Sequence, residues 1–186
     1  FKDYEHGQGN GKRRKENFGM SKLTYANIIR EAVSAVSTDA ALLAWCNATY
    51  GLPPSVRNDL DPMNPPEESE CPLIAFSPVG GQNGQDQSGF LRALIVRVAV
   101  SDTETEETRD PATGRILTQI FKGTDNVSHL LENLVYPALC KKFNSFGCPI
   151  STTDEEVETM QGTLFQAKAG LTIFFEKTIG EERPFL

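Results

Sequence analysis

This chain is short of the side chains that catalysis and metal binding draw on. Histidine occurs only at His6 and His129, and the four cysteines (Cys46, Cys71, Cys140, Cys148) are scattered without C-x-x-C spacing. That argues against a disulfide framework and against a zinc site, which needs clustered thiolates and imidazoles. Reduced, mostly buried thiols of a cytosolic protein are the expectation. No apolar run reaches the roughly 18 residues of a membrane span, and no signal-peptide pattern is present. Gly80-Gly81-Gln82-Asn83-Gly84 lacks a following G-K-[ST], so it reads as a flexible turn and not a phosphate loop.

Positive charge is also scarce, with 18 Lys and Arg against 25 Asp and Glu, a net −7. Five of the basic residues (Lys2, Lys12, Arg13, Arg14, Lys15) and three acids (Asp3, Glu5, Glu16) lie in residues 1–19. The remainder holds 13 basic and 22 acidic residues, net −9. Such a body repels nucleic acid, because phosphate binding needs clustered Lys and Arg. The acid pairs Glu67-Glu68, Glu106-Glu107 and Glu155-Glu156 fall in loop-like sequence, where carboxylates are solvated surface and not a tuned acid–base pair. His129 lies off the apolar stripe of its helix and reads as a solvated residue. The sequence contains no constellation for catalysis, and no catalytic, cofactor or metal residues are expected.

The chain of 186 residues suits one α+β domain. The polar, Gly-rich, non-periodic residues 1–19 read as a disordered N-terminal extension, and 20–186 as a single domain. Arg13-Arg14 can be encoded by a ribosome-binding sequence shortly before Met20. Residues 1–19 are therefore either translated upstream sequence or a cloning remnant ahead of a natural start at Met20, or a genuine basic arm.

The clearest helix is Thr124–Phe143. Val127, Leu130, Leu131, Leu134, Val135, Leu139 and Phe143 form one apolar stripe at helical spacing. Thr124 or Asp125 is expected to cap it, and Pro137 to kink or stop it. Ser21–Val36 is a second amphipathic helix, and Ser37-Thr38-Asp39 breaks it and caps a short helix over Ala40–Cys46. Residues 51–70, with five prolines, read as an extended surface loop. Cys71–Phe76 is a strand start or an edge strand. Phe90–Ser101 is the central strand, and Thr163–Lys177 is a long strand of unbroken period two. The acid-rich Ile150–Val157 reads as a guarded edge strand.

Between them, Asp102–Gln119 reads as a hairpin projecting beyond the sheet, turned by Asp110-Pro111-Ala112-Thr113-Gly114. Its residues Asp102, Glu104, Glu106, Glu107, Arg109, Asp110 and Arg115 are the candidate subunit-interface or lumen site. The acids there face only Arg109 and Arg115 locally. Both faces of the central strand are largely apolar while the helices suffice for one, which implies a partner.

Three features follow one another in order: Ser37-Thr38-Asp39-Ala40-Ala41-Leu42 after a first helix, a Pro-rich stretch into Cys71-Pro72-Leu73-Ile74, and the strand Phe90–Ser101. With the helix opened by Gly123-Thr124-Asp125 and the closing strand 163–177, this order resembles the tail terminator (tail completion) proteins of long-tailed bacteriophages, over about residues 20–180. The resemblance rests on element order and not on a signature motif. It implies a two-layer fold, a mostly antiparallel sheet with helices on one face. It also implies a structural, non-enzymatic virion protein, assembled in the host cytoplasm and located in the tail at the head–tail junction. Its partners would be itself in a ring, commonly a hexamer, the tail tube protein and a neck or connector protein. DNA would pass through without specific binding, and no membrane or cofactor would be involved. Residues 51–70 and 102–120 are longer than the family's usual connections, which leaves a head–tail connector or tail tube subunit open. A small cytosolic α+β enzyme or ligand-binding domain is the alternative from another class.

Overall fold

The computed structural model describes residues 24–59, 67–83, 89–161 and 163–176. The expectations for residues 1–19, for Met20 and for the tail from Gly180 lie outside the described residues. Helix α1 (Tyr25–Thr38) starts at Thr24, whose hydroxyl accepts the Asn27 N–H at 3.3 Å. It buries Ile28, Ile29, Ala32, Ala35 and Val36. Asp39 both stops α1 and starts α2 (Ala40–Tyr50), its carboxylate accepting the N–H groups of Ala41 and Leu42 at 3.1 and 3.0 Å. Helix α2 runs four residues past the expected Cys46, to a left-handed Gly51 (φ 75°) whose N–H returns to the Asn47 carbonyl.

The main sheet contains β1 (Ser55–Asn58), β2 (Leu73–Asn83), β3 (Gly89–Ser101), β6 (Ile150–Gln161) and β7 (Leu164–Glu176), in the order β1-β2-β3-β7-β6. Only the β1–β2 pair is parallel. A separate two-stranded sheet pairs β4 (Thr105–Arg109) with β5 (Ile116–Phe121). The fold is therefore α+β, with β3 central and β6 an edge, as the patterns require.

Three expectations for residues 51–83 need correcting. Residues 51–70 are more than loop, because they hold β1 and a short 3-10 turn at Glu68–Glu70, tied together by the Arg57–Glu70 ion pair. With β1 outside it, β2 is not an edge strand. Gly80-Gly81-Gln82-Asn83 is not a turn but the end of β2, beyond a bulge between Pro78 and Gly80. Glycine at a bulge keeps a strand going with a local twist, which a turn signal alone does not distinguish.

The stripe helix begins two residues early, at Lys122. It runs as α3 (Lys122–Ser128), a π-helical stretch (His129–Val135) and α4 (Tyr136–Ser145) without a stop. Neither Thr124 nor Asp125 caps it, since both lie inside the first turn and Phe121 occupies the cap position with no side-chain bond. Pro137 does not end it. In the widened stretch the Tyr136 N–H reaches the Leu131 carbonyl, five residues back, so the backbone steers around the proline ring and its missing donor.

Val127, Leu130, Leu131, Val135, Leu139 and Phe143 are buried, and Leu134 is half-buried. They share one core with Ile28, Ala32 and Val36 of α1, with Leu94, Val96, Val98 and Val100 of β3, and with Phe165, Ala167, Ala169, Leu171 and Ile173 of β7. Every helix thus packs on the same face of the sheet.

Candidate functional site: a hairpin and an open sheet face

The hairpin expected at 102–119 exists. Its turn is closed by the Asp110 N–H donating to the Arg115 carbonyl (2.8 Å) and the Gly114 N–H donating to the Asp110 carbonyl (2.8 Å), with Gly114 left-handed at φ 69°. The Asp110 carboxylate accepts the Ala112 and Thr113 N–H groups at 2.7 and 3.1 Å, which holds its carboxyl below the usual carboxylate range. Every residue of β4 and β5 is exposed. Neither strand pairs with the main sheet.

The acids of the site do not simply repel one another. Asp102 accepts the Asn126 amide at 2.8 Å and the Glu104 N–H at 2.8 Å. Glu104 pairs with Lys122 at 2.6 Å, which lowers the Glu104 carboxyl and raises the Lys122 amine. Glu107 receives Arg109 at 2.5 Å and the Gln119 amide at 3.1 Å across the ribbon. Sequence adjacency pointed to Arg109 and Arg115 as the neighbouring cations, whereas Lys122 and Asn126 come from the helix beyond the hairpin. Arg115 is exposed near the turn. Glu106 stands opposite Ile120.

The apolar content of the hairpin was the part hidden by the acid-rich reading. Ile116, Leu117, Ile120 and Phe121 are 40, 57, 50 and 46 % exposed. Ile120 and Phe121, adjacent in β5, face opposite sides, so the ribbon exposes apolar surface on both faces, and exposed apolar surface of this kind marks an interaction site. At the root, the Phe121 ring lies 6.1 Å from the ring of Phe165, and Gly123 packs against the same ring.

The second surface is the sheet face away from the helices. One end is closed by the small cluster Cys71, Leu73, Ala99 and Leu164, with Glu68 receiving the Thr163 hydroxyl above it. Beyond it the strand register sets Arg57, Ala75, Arg97, Lys168 and Glu156 in one row across all five strands. Arg97 donates to the Ser77 hydroxyl at 3.0 Å, and Ser77 in turn donates to Asp59. Further along, Leu91, Ala93, Ile95 and Thr172 are half-buried and Phe174 is exposed. Among the described residues none of the α-helices packs on this face, but the 3-10 turn Glu68–Glu70 bonds Thr163 at one end, and Ala75, Ser77 and Gln166 on it are buried.

Elsewhere, His129 is not the solvated residue its position on the helix suggested. Its ring lies half-buried 5.3 Å from the Trp45 ring and exchanges a hydrogen bond with the Asn133 amide. Cys46, Cys71, Cys140 and Cys148 are all free thiols. Burial pushes Cys46 and Cys71 up to about 11, and raises Cys148 as well. Thiols held protonated in this way make poor nucleophiles. Among the described residues no three His, Cys, Asp or Glu side chains converge to hold a metal ion, and no helix is long and apolar enough to cross a membrane.

No protein-family model matches the chain, and neither does any curated protein.

Proposed function

We propose that this chain is a structural subunit that assembles with copies of itself into a ring, in the manner of a phage tail terminator. Such a ring would cap the tail tube, join it to the head or neck, and let DNA pass through its hole. The single observation that carries the reading is the β4–β5 hairpin, fully exposed yet carrying Ile116, Leu117, Ile120 and Phe121. A two-stranded ribbon is marginal on its own in water, and apolar side chains on it gain only when another surface covers them. The element order and the exposed Phe174 on the sheet face that carries no α-helix support the same reading. So does the acidic body, since a lumen of negative charge lets DNA through without holding it. In this reading the chain performs no catalysis, and its location is the virion.

Native mass measurement with negative-stain imaging tests the proposal. Closed rings of about six subunits are expected. Filaments would instead favour a tube protein, and a strict monomer would overturn self-assembly. Replacing residues 106–119 by a short Gly-Ser turn keeps Glu104–Lys122 and Phe121 in place. The variant should unfold within a few degrees of the parent but lose ring formation and tail joining. Intact rings that still complete tails would remove the hairpin from the proposal.

A further inference from the structure

The two edges of the hairpin are unequal. Strand β4 carries Glu106, Glu107 and Arg109, whereas β5, Ile116–Phe121, carries no charged residue. The edge strands of the main sheet are charged too: β1 includes Arg57, and β6 includes Asp154, Glu155, Glu156 and Glu158. Charge on an edge strand keeps other strands from pairing with it. β5 lacks that guard, is rich in β-branched and aromatic residues, and holds no Pro or Gly. The cations Arg115 and Lys122 stand just outside it, and Lys122 is paired with Glu104.

The register shows which backbone groups this edge presents. The Lys122 N–H donates to the Glu104 carbonyl at 3.1 Å, which makes Glu104 and Lys122 a hydrogen-bonded pair of the ladder. Bonded and non-bonded pairs alternate along an antiparallel ladder. Glu106 with Ile120 and Thr108 with Thr118 are then the next bonded pairs. The N–H and C=O groups of Gln119 and Phe121 therefore point away from β4. Groups in this arrangement are completed by another strand.

Charge and strand number decide which strand. In a chain with a net charge of −7, two copies repel each other unless they meet where no charge faces its like. β5 against β5 meets that condition, while β4 against β4 would set its acids together. β5 against β4 of the next copy would leave one β5 edge bare in any assembly short of a closed ring. Two ribbons joined through β5 make a four-stranded antiparallel sheet. A two-stranded ribbon alone is marginal in water, and three or more strands are what such a sheet needs.

We propose that β5 of one subunit pairs with β5 of a second copy, antiparallel and about a two-fold axis at Gln119, through the backbone groups of Gln119 and Phe121. This inference rests on the reading of the chain as a self-assembling subunit and adds which atoms join two copies. The contact uses each hairpin once and closes on itself, so it makes pairs. A ring of about six is then built of such pairs, joined to one another by a second contact.

Proline tests the contact at the backbone. Gln119→Pro removes an N–H that the ribbon itself does not use, and proline is tolerated at a sheet edge. Thr105→Pro does the same on the outer side of β4. Gln119→Lys is a second β5 variant, since two lysines then meet at the axis while each stands opposite its own Glu107. Circular dichroism with thermal unfolding shows that each variant is folded. By native mass, Gln119→Pro and Gln119→Lys should need at least about tenfold more protein than the parent to assemble, and Thr105→Pro no more than the parent. In the parent, hydrogen exchange at the Gln119 and Phe121 amides should slow at least about tenfold between dilute monomer and assembled protein. Unchanged assembly in either folded β5 variant, or amides that do not slow, would overturn this pairing while leaving the ring reading intact. Equal loss in Thr105→Pro would overturn it too, in favour of β5 on β4 of the next copy. A parent that is monomeric at every concentration would overturn both.

Discussion

Gly123 lies directly against the ring of Phe165. A Cβ at Gly123 would fall 2.0 Å from Cδ2 and 2.2 Å from Cε2 of that ring. Phe165 is buried at the start of β7, and Gly123 is the second residue of α3, so this contact seats the exit of the hairpin on the core.

Gly123→Ala should therefore destabilise the protein, although alanine is the better helix former. Overpacking of this kind costs about 1–3 kcal/mol, against a helix-propensity gain of about 1 kcal/mol. Urea denaturation checks it. In a double-mutant cycle Phe165→Leu should recover part of the loss, because the two changes share one space. A neutral or stabilising Gly123→Ala would mean that the ring moves aside at no cost.

Leu131 and Leu134 lie on the same helix stripe but differ in burial. Leu131→Ala should cost about 2–5 kcal/mol by leaving a cavity under the sheet. Leu134, half-buried, should lose only about 1 kcal/mol. Equal losses in chemical denaturation would contradict this placement of the two side chains.

The thiols predict alkaline weakness. Cys46 and Cys71 are held up to about 11, Cys46 by burial and Cys71 by burial with Glu70 and Glu68 nearby. In the unfolded chain they ionise near 9. A raised folded-state value stabilises fully below the unfolded one, and that contribution is lost as pH climbs from about 9 to about 11. Unfolding midpoints should fall across that window, and Cys46→Ala should flatten the fall. An unchanged slope in that variant would remove Cys46 as its cause.

The hairpin turn should respond to acid in the opposite sense. Asp110 is lowered first by the Ala112 N–H and next by that of Thr113. Its contribution is present above the ordinary aspartate value and is lost as pH falls through the lower folded value. Hydrogen exchange at Ala112 and Thr113 should therefore quicken only in that acid range. Asp110→Ala should show the quickened exchange already at neutral pH, while Asp110→Asn, which keeps an acceptor oxygen, should show less of it.

Much of this fold was legible because its strongest elements carry their period openly. The alternation from Phe165 to Phe175 gave β7, the Leu94–Val100 alternation gave β3, and Asp110–Gly114 gave the turn. What stayed hidden needed the third dimension. Strand β1 is four residues, SVRN, too short and too polar to show a period among prolines. The Glu104–Lys122 and Asp102–Asn126 links join the hairpin to a helix that the sequence treats as a separate element. The exposed Ile116, Leu117, Ile120 and Phe121 stand in plain view in the sequence, but among so many acids they carry no period that marks them as surface. The row containing Arg97 and Lys168 exists only through register.

The π-helical stretch from His129 to Val135 has a consequence for how the long helix tracks the sheet. Val127, Leu131, Val135, Leu139 and Phe143 are spaced by four residues at every step, and all five are buried. In an ordinary α-helix a four-residue step overshoots a full turn by about 40°, so four such steps would wander about 160° around the cylinder. The last of them would then face water. A slower-winding segment takes up that drift, and the row runs straight along the groove from Val127 to Phe143. Removing one residue from 129–135 would return the segment to regular α geometry and leave Leu139 and Phe143 near their present bearing, because the widened turns hold an extra residue. Winding the full-length stretch at the regular α pitch would instead turn Leu139 and Phe143 off the sheet, with Lys141 and Lys142 carried toward it.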